Sequence, residues 1–194
     1  QPAEIDRFME QYAAYRRPTE RFFEDVQVGD AVGPLMKGPL TPTAEIAFES
    51  YFGIYLVGNE VAANLYKKHP ALMIPNEQGV PEPPQRVHWD NAFTQRLLGL
   101  PAAYDIGPER CSWLIQLVTD WIGDDGLLTL IDVQYRKFNY MGDVTWLRGS
   151  VTEKSERAGK GIVRLAIEAV NQREEVTAKG YAEAELPRRG GARA

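Results

Sequence analysis

Pro108-Glu109-Arg110-Cys111-Ser112-Trp113-Leu114-Ile115-Gln116-Leu117-Val118-Thr119-Asp120-Trp121-Ile122 is the stretch on which the fold turns. Apolar side chains at 111, 113, 114, 115, 117, 118, 121 and 122 point to almost every side of a helix. That distribution predicts a helix buried nearly all round, the central helix of its domain. Beyond Gly123-Asp124-Asp125-Gly126 the period changes from helical to alternating, in four strand-like runs. The last is the clearest: Val176, Ala178, Gly180, Ala182, Ala184 and Leu186 alternate with Glu175, Thr177, Lys179, Tyr181, Glu183 and Glu185. A sheet with one buried face has this pattern. Runs at 127–138, 144–151 and 162–170 precede it, joined through Gly142-Asp143, Ala158-Gly159-Lys160-Gly161 and Asn171-Gln172-Arg173. The prediction is an α+β fold, an antiparallel sheet wrapped around one long central helix.

Upstream, Ile5, Phe8, Met9 and Tyr12 recur at helical spacing, which predicts an amphipathic helix over 4–16, ended by Pro18. Residues 1–20 are thus an N-terminal helical extension. An extended segment follows Gly29-Asp30 and stops at Gly38-Pro39. Thr41 then caps a helix with Pro42 in its first turn and Glu45 at its positive end; it carries Ile46, Phe48 and Phe52 and ends near Gly53. Residues 54–87 hold Pro70, Pro75, Pro81, Pro83 and Pro84 and lack a clean period, so they read as a long, mostly irregular insertion with one short helix near 61–66. Tyr66, Leu72, Met73 and Ile74 are too apolar for a linker and suggest a packed loop walling a site. Asp90 caps a helix that runs to Gly99. Residues 21–187 form a single domain with the insertion at 54–87, and 188–194 form a flexible basic tail with Arg188, Arg189 and Arg193.

With 194 residues, 44% of them hydrophobic, the chain can bury one sizeable core. A net charge of −5 speaks against nucleic acid held through phosphate neutralisation. The lone Cys111 has no disulfide partner in the chain and reads as a small core residue. No membrane span or secretory leader is visible, so a cytoplasmic protein is expected.

Two histidines bound any imidazole chemistry. His69, in Lys67-Lys68-His69-Pro70, reads as a surface residue. His88, in Arg86-Val87-His88-Trp89-Asp90, stands before a capped helix and upstream of Tyr104-Asp105-Ile106-Gly107-Pro108, which opens the central helix. Backbone N–H groups at that helix start can hold a carbonyl oxygen that gains negative charge, Gly107 or a neighbour being the donor and Tyr104 and Asp105 its surroundings. The alternative for His88 is a residue that orders the insertion. Asp120, Asp124 and Asp125 read as turn residues rather than a metal cluster, and no metal or cofactor is expected.

Phe22-Phe23-Glu24-Asp25-Val26-Gln27-Val28-Gly29-Asp30, Lys37-Gly38-Pro39-Leu40-Thr41, Val87-His88-Trp89-Asp90, Thr119-Asp120-Trp121, Gly142-Asp143 and Gly149-Ser150-Val151 resemble, in order, the MaoC-like acyl dehydratases and (R)-specific enoyl-CoA hydratases. The resemblance spans most of 20–187 and is strongest over 86–151. It implies a hotdog fold, a dimer, and an acyl thioester of coenzyme A as substrate, the coenzyme entering only as part of that substrate. In that family an Asp–His dyad handles water and proton; here His88 would be its histidine and Gly107 the donor to the thioester carbonyl. The family motif Asp-x-Asn-Pro-x-His has its Asp five residues before the His, where this chain has Pro83. Glu82, Asp90 and Asp105 are the substitutes, Glu82 slightly ahead. The leading expectation is a hydro-lyase acting on enoyl-CoA. The alternatives are a non-catalytic hotdog subunit that binds acyl-CoA beside an active partner, and a thioesterase that uses Asp105 and Glu109. A homodimer or a heterodimer with a related chain is expected, since edge-to-edge pairing removes exposed strand edges.

Overall fold

The computed structural model describes residues 2–51 and 60–190. In chain order its elements are α1 (Pro2–Ala14), β1 (Ala31–Lys37), α2 (Pro42–Tyr51), α3 (Glu60–Lys68), β2 (Ile74–Pro75), β3 (Pro81–Glu82), α4 (Asn91–Leu98), α5 (Gly107–Ile122), β4 (Leu127–Tyr135), β5 (Thr145–Arg157), β6 (Lys160–Asn171) and β7 (Val176–Leu186). They divide into two compact units, one of residues 1–39, 107–139 and 143–194, the other of 40–106 and 140–142. The expected helix end at Phe52-Gly53, residues 54–59 of the insertion and Arg193 of the tail lie outside the described residues.

In the first unit five strands form one antiparallel sheet in the order β1-β5-β6-β7-β4. Helix α5 lies against all five strands. Leu114, Leu117, Val118 and Ile122 of the helix meet Leu147, Leu165, Ala182 and Leu186 of the sheet, all buried. Each large aliphatic side chain so buried contributes about 1.5–3 kcal/mol. The alternation read in the last run holds: Ala178, Ala182, Ala184 and Leu186 are buried and Lys179 is exposed. Thr177 departs from it, being buried with its hydroxyl donating to the Ala169 carbonyl at 3.3 Å. The register shift between Ala169 and Val170 accounts for this, since Thr177 is the extra residue, between Val176 and Ala178, that the shift leaves out of the pairing.

The expectation that α5 is buried all round is corrected: Ser112 and Ile115 are exposed and Cys111 is only half-buried. The sheet covers one side of the helix, and the opposite side keeps polar company, with the Tyr15 hydroxyl donating to Asp120 Oδ2 at 2.9 Å. Helix α1 buries Phe8, edge-on to Trp146 at 6.0 Å, while Ile5, Met9 and Tyr12 stay exposed.

Edge strand β1 is interrupted. Gly33 sits at φ +89° within its register shift, and a Cβ there would stand 2.8 Å from the Leu147 carbonyl oxygen and 2.9 Å from Leu117 Cδ1. A bulge that brings backbone onto core requires glycine. The other edge, β4, exposes Leu127, Leu130 and Tyr135 and contains no proline or lysine.

In the second unit the Thr41 hydroxyl accepts from Ala44 N–H at 3.2 Å, capping α2. The buried side chains of α2 are acidic: Glu45 and Glu49 are buried, Phe48 is half-buried and Ile46 is exposed. The insertion is also more regular than its prolines suggested. It contains α3, the β2–β3 hairpin and a 3-10 turn at Pro84–His88. Asn76 closes the hairpin, its side-chain oxygen accepting from Gln78 N–H at 3.0 Å and Val80 N–H at 2.9 Å. Met73 is buried, but Tyr66 and Leu72 are exposed. Helix α4 is capped by Asp90 Oδ1, which accepts from Phe93 N–H at 2.9 Å, and ends at Gly99 in the left-handed region at φ +68°. Residues 140–142 join this unit through a Tyr104–Tyr140 bridge and a bond from Met141 N–H to the Ala103 carbonyl at 2.9 Å.

Candidate active site

The 3-10 turn at Pro84–His88 ends at His88, and the capped start of α4 follows it at once, so the imidazole is held between two backbone anchors. His88 Nδ1 lies 2.8 Å from the Tyr104 carbonyl oxygen. A carbonyl only accepts, so Nδ1 carries the proton and, in the neutral ring, Nε2 is the basic nitrogen. The two rings pack edge to face at 4.8 Å. Burial pushes the His88 pKa below its ordinary value, against the opposing pull of the Tyr104 carbonyl and the Asp105 charge. The ring is therefore neutral at pH 7, the form that can accept a proton. The Tyr104 phenol is raised by burial, and further by Asp105 and Tyr140.

The substitute carboxylates separate into two groups. Asp90 is occupied: Oδ1 caps Phe93, while Oδ2 accepts from Arg86 Nε at 2.9 Å and Arg86 Nη2 at 2.6 Å. Burial pushes the Asp90 pKa up, but the Phe93 N–H and Arg86 outweigh it and leave the carboxyl below its usual value. Glu82 accepts from Asn76 Nδ2 at 3.1 Å and stands 4.0 Å from Arg86 Nη1. Both thus face Arg86, a buried guanidinium that also holds Glu77 at 3.2 Å and lies over the Phe93 ring. Asp105, in contrast, is only 2% exposed, and its charge acts on His88. The order of preference given to Glu82 does not match this arrangement: Pro83 and Pro84 lead Glu82 into the hairpin and the Arg86 cluster.

Sequence reasoning gave Glu45 no place near these residues. It is fully buried, and its Oε2 accepts from Ile106 N–H in a long contact of 3.4 Å, one residue from Asp105. The signal was present, since Glu45 and Glu49 share a helix face, but an acidic residue in a first turn has an ordinary explanation in the helix dipole.

Gly107 begins α5. Its carbonyl accepts from the Tyr135 hydroxyl at 2.7 Å, and Pro108 after it has no N–H to offer. Glu109 and Arg110 are buried, the latter donating to the carbonyls of Lys137 at 2.6 Å and Thr177 at 2.8 Å. His69 is exposed, and Asp124 pairs with Arg17 at 2.7 Å.

The sequence matches no protein-family model and no curated protein. Solved structures do match. A double-hotdog protein from Mycobacterium tuberculosis aligns with a TM-score of 0.59 and 17% identity over 89% of this chain and 46% of its own. This chain has the hotdog fold. The (R)-hydratase of A. caviae involved in PHA biosynthesis aligns with a TM-score of 0.61 and 17% identity, over 84% of this chain and 99% of its own. A MaoC-like dehydratase from Rhodospirillum rubrum aligns at 0.60 and 17%, over 87% and 97%. The hotdog resemblance read from the sequence is therefore matched by hydratase and dehydratase structures. Among the described residues of this hotdog chain, no helix is long and apolar enough to cross a membrane.

Proposed function

We propose that this hotdog chain is a hydro-lyase of acyl-CoA thioesters, adding water reversibly across a 2-enoyl bond with His88 as its base. The observation that carries the reading is the tautomer of His88, fixed by the Tyr104 carbonyl so that Nε2 is the basic nitrogen. In the hydration direction Nε2 takes a proton from water as its oxygen bonds to C3, and the electron pair moves through C2 onto the thioester oxygen. By the resemblance, the donor to that oxygen is the N–H of Gly107, the first residue of α5. The imidazolium then returns the proton to C2, so water is added whole and His88 is regenerated. Asp105 stabilises the imidazolium between the two transfers and takes the part of the carboxylate that Pro83 displaces. Similarity to hydratases and dehydratases supports the reaction class. The exposed Leu127 and Leu130 on edge strand β4 support pairing with a second hotdog domain, as does the likeness to a double-hotdog protein.

The test is turnover of a panel of 2-enoyl-CoA thioesters, read from the loss of enoyl absorbance. His88→Ala should lower kcat by two or more orders of magnitude, about the contribution of general acid–base catalysis. Native turnover that survives His88→Ala rejects the mechanism.

One observation favours a second reading. Pro83 stands at the motif position, and Glu82 and Asp90 are both committed to Arg86. A non-catalytic subunit that binds acyl-CoA beside an active partner fits that loss, and it predicts binding without turnover. Release of free coenzyme A thiol in the same assay would indicate a thioesterase, with Asp105 and Glu109 as its carboxylates.

A further inference from the structure

Gly107 is not required by its backbone, since its φ is not positive. It is required by Tyr135. A Cβ on Gly107 would stand 3.2 Å from Tyr135 Cε2 and 3.3 Å from Cζ, tighter than ordinary contact. The phenol ring fills the room of the missing side chain, and its hydroxyl donates to the Gly107 carbonyl at 2.7 Å. Gly107 is the first residue of α5, so the hydroxyl ties the opening turn of the helix to the sheet. The tie has a firm root. Tyr135 is the last residue of β4 and pairs with Ala178. Beside it, Arg110 reaches back from α5, its guanidinium carbon 5.6 Å from the ring centroid and Nη1 bonded to the carbonyls of Lys137 and Thr177.

We propose that Tyr135 is a positioning residue for the backbone donor at the head of α5, its hydroxyl and ring together fixing the direction of the Gly107 N–H. This rests on the reading of Gly107 as the donor to the thioester carbonyl. Preorganised donors act by being aimed before charge develops, and a misplacement of about 1 Å is costly even when the group remains. Tyr135 thus acts through Gly107 and sets how strongly a bound thioester is polarised.

The experiment compares native protein with Tyr135→Phe, which keeps the ring and removes the tie. The probe is hexanoyl-CoA, a saturated thioester, and the readout is the infrared carbonyl band of the bound probe, beside kinetics on 2-enoyl-CoA. The native protein should lower the carbonyl frequency on binding. Tyr135→Phe should bind hexanoyl-CoA within about threefold of native, lose most of the shift, and lower kcat about tenfold with KM changed less than about threefold, the loss of one well-aimed interaction. Gly107→Ala should unfold at lower temperature than native, and Tyr135→Ala in the same chain should relieve that penalty, because the added methyl then has room. Tyr135→Phe with the native band and native kcat overturns the proposal, and so does a Gly107→Ala penalty that Tyr135→Ala leaves untouched. If native protein itself neither shifts the band nor turns over enoyl-CoA, the hydratase reading fails on the native chain alone and this inference falls with it.

Discussion

His88, the proposed base, is half-buried, and that burial sets its response to pH. Its native pKa lies below the ordinary histidine value, chiefly through desolvation. The proton-accepting form therefore persists at neutral pH, and kcat/KM should be level above pH 7 and fall as the pH drops through the lowered pKa. A profile that falls with rising pH near neutrality would contradict the assignment. Stability runs in the same direction: in the window between the native and unfolded pKa values the unfolded chain binds a proton that the native chain does not, so stability rises with pH there. His88→Gln should remove that slope from the acid side of a denaturation series. Asp90 tests the opposite kind of role. It caps α4 and receives Arg86, so Asp90→Ala should cost about 1–2 kcal/mol in denaturant unfolding, whereas Asp90→Asn, which can still cap, should cost less. Both should keep native kcat to within a few-fold; a fall of two orders in Asp90→Asn would make it the dyad carboxylate after all.

The two edge strands behave differently because their residues do. Strand β1 is broken by Gly33 and Pro34, and its bulge brings Gly33 against Leu147 and Leu117. Gly33→Ala should destabilise by about 2–3 kcal/mol, since the new methyl meets both core and backbone in a left-handed conformation. An unaltered denaturant midpoint would show that the bulge relaxes at no cost. Strand β4 has a register shift of its own between Leu128 and Leu130, but it contains no proline or lysine and exposes Leu127, Leu130 and Tyr135. Edge strands of this kind are templates for pairing. Leu130→Lys should convert a dimer to a monomer in sedimentation while leaving thermal unfolding cooperative. Helix α2 follows its capping signals at Thr41 and Pro42, yet it buries Glu45 and Glu49 and exposes Ile46.

As a whole molecule the native protein should sediment as a dimer or larger at micromolar concentration, and a monodisperse monomer there would count against pairing through β4. Strand and helix periods by themselves determined the antiparallel sheet, the central helix and the Asp90 and Gly99 boundaries of α4, because each is written locally in alternation, 3.6-residue repeats and cap chemistry. The same local rules marked His88 and Gly107 through their neighbours. Tertiary structure alone decided which faces are covered and which charges meet. Periodicity states that a face is apolar and not what lies against it, so the exposure of Ile115 and the inward turn of Glu45 could not be read in advance. Nor could the sorting of the carboxylates, in which Arg86 draws in Glu82 and Asp90 while Asp105 acts on His88. Side-chain partners far apart in sequence are chosen by the packed chain, and the Tyr135 contact with Gly107, 28 residues apart, is the clearest instance.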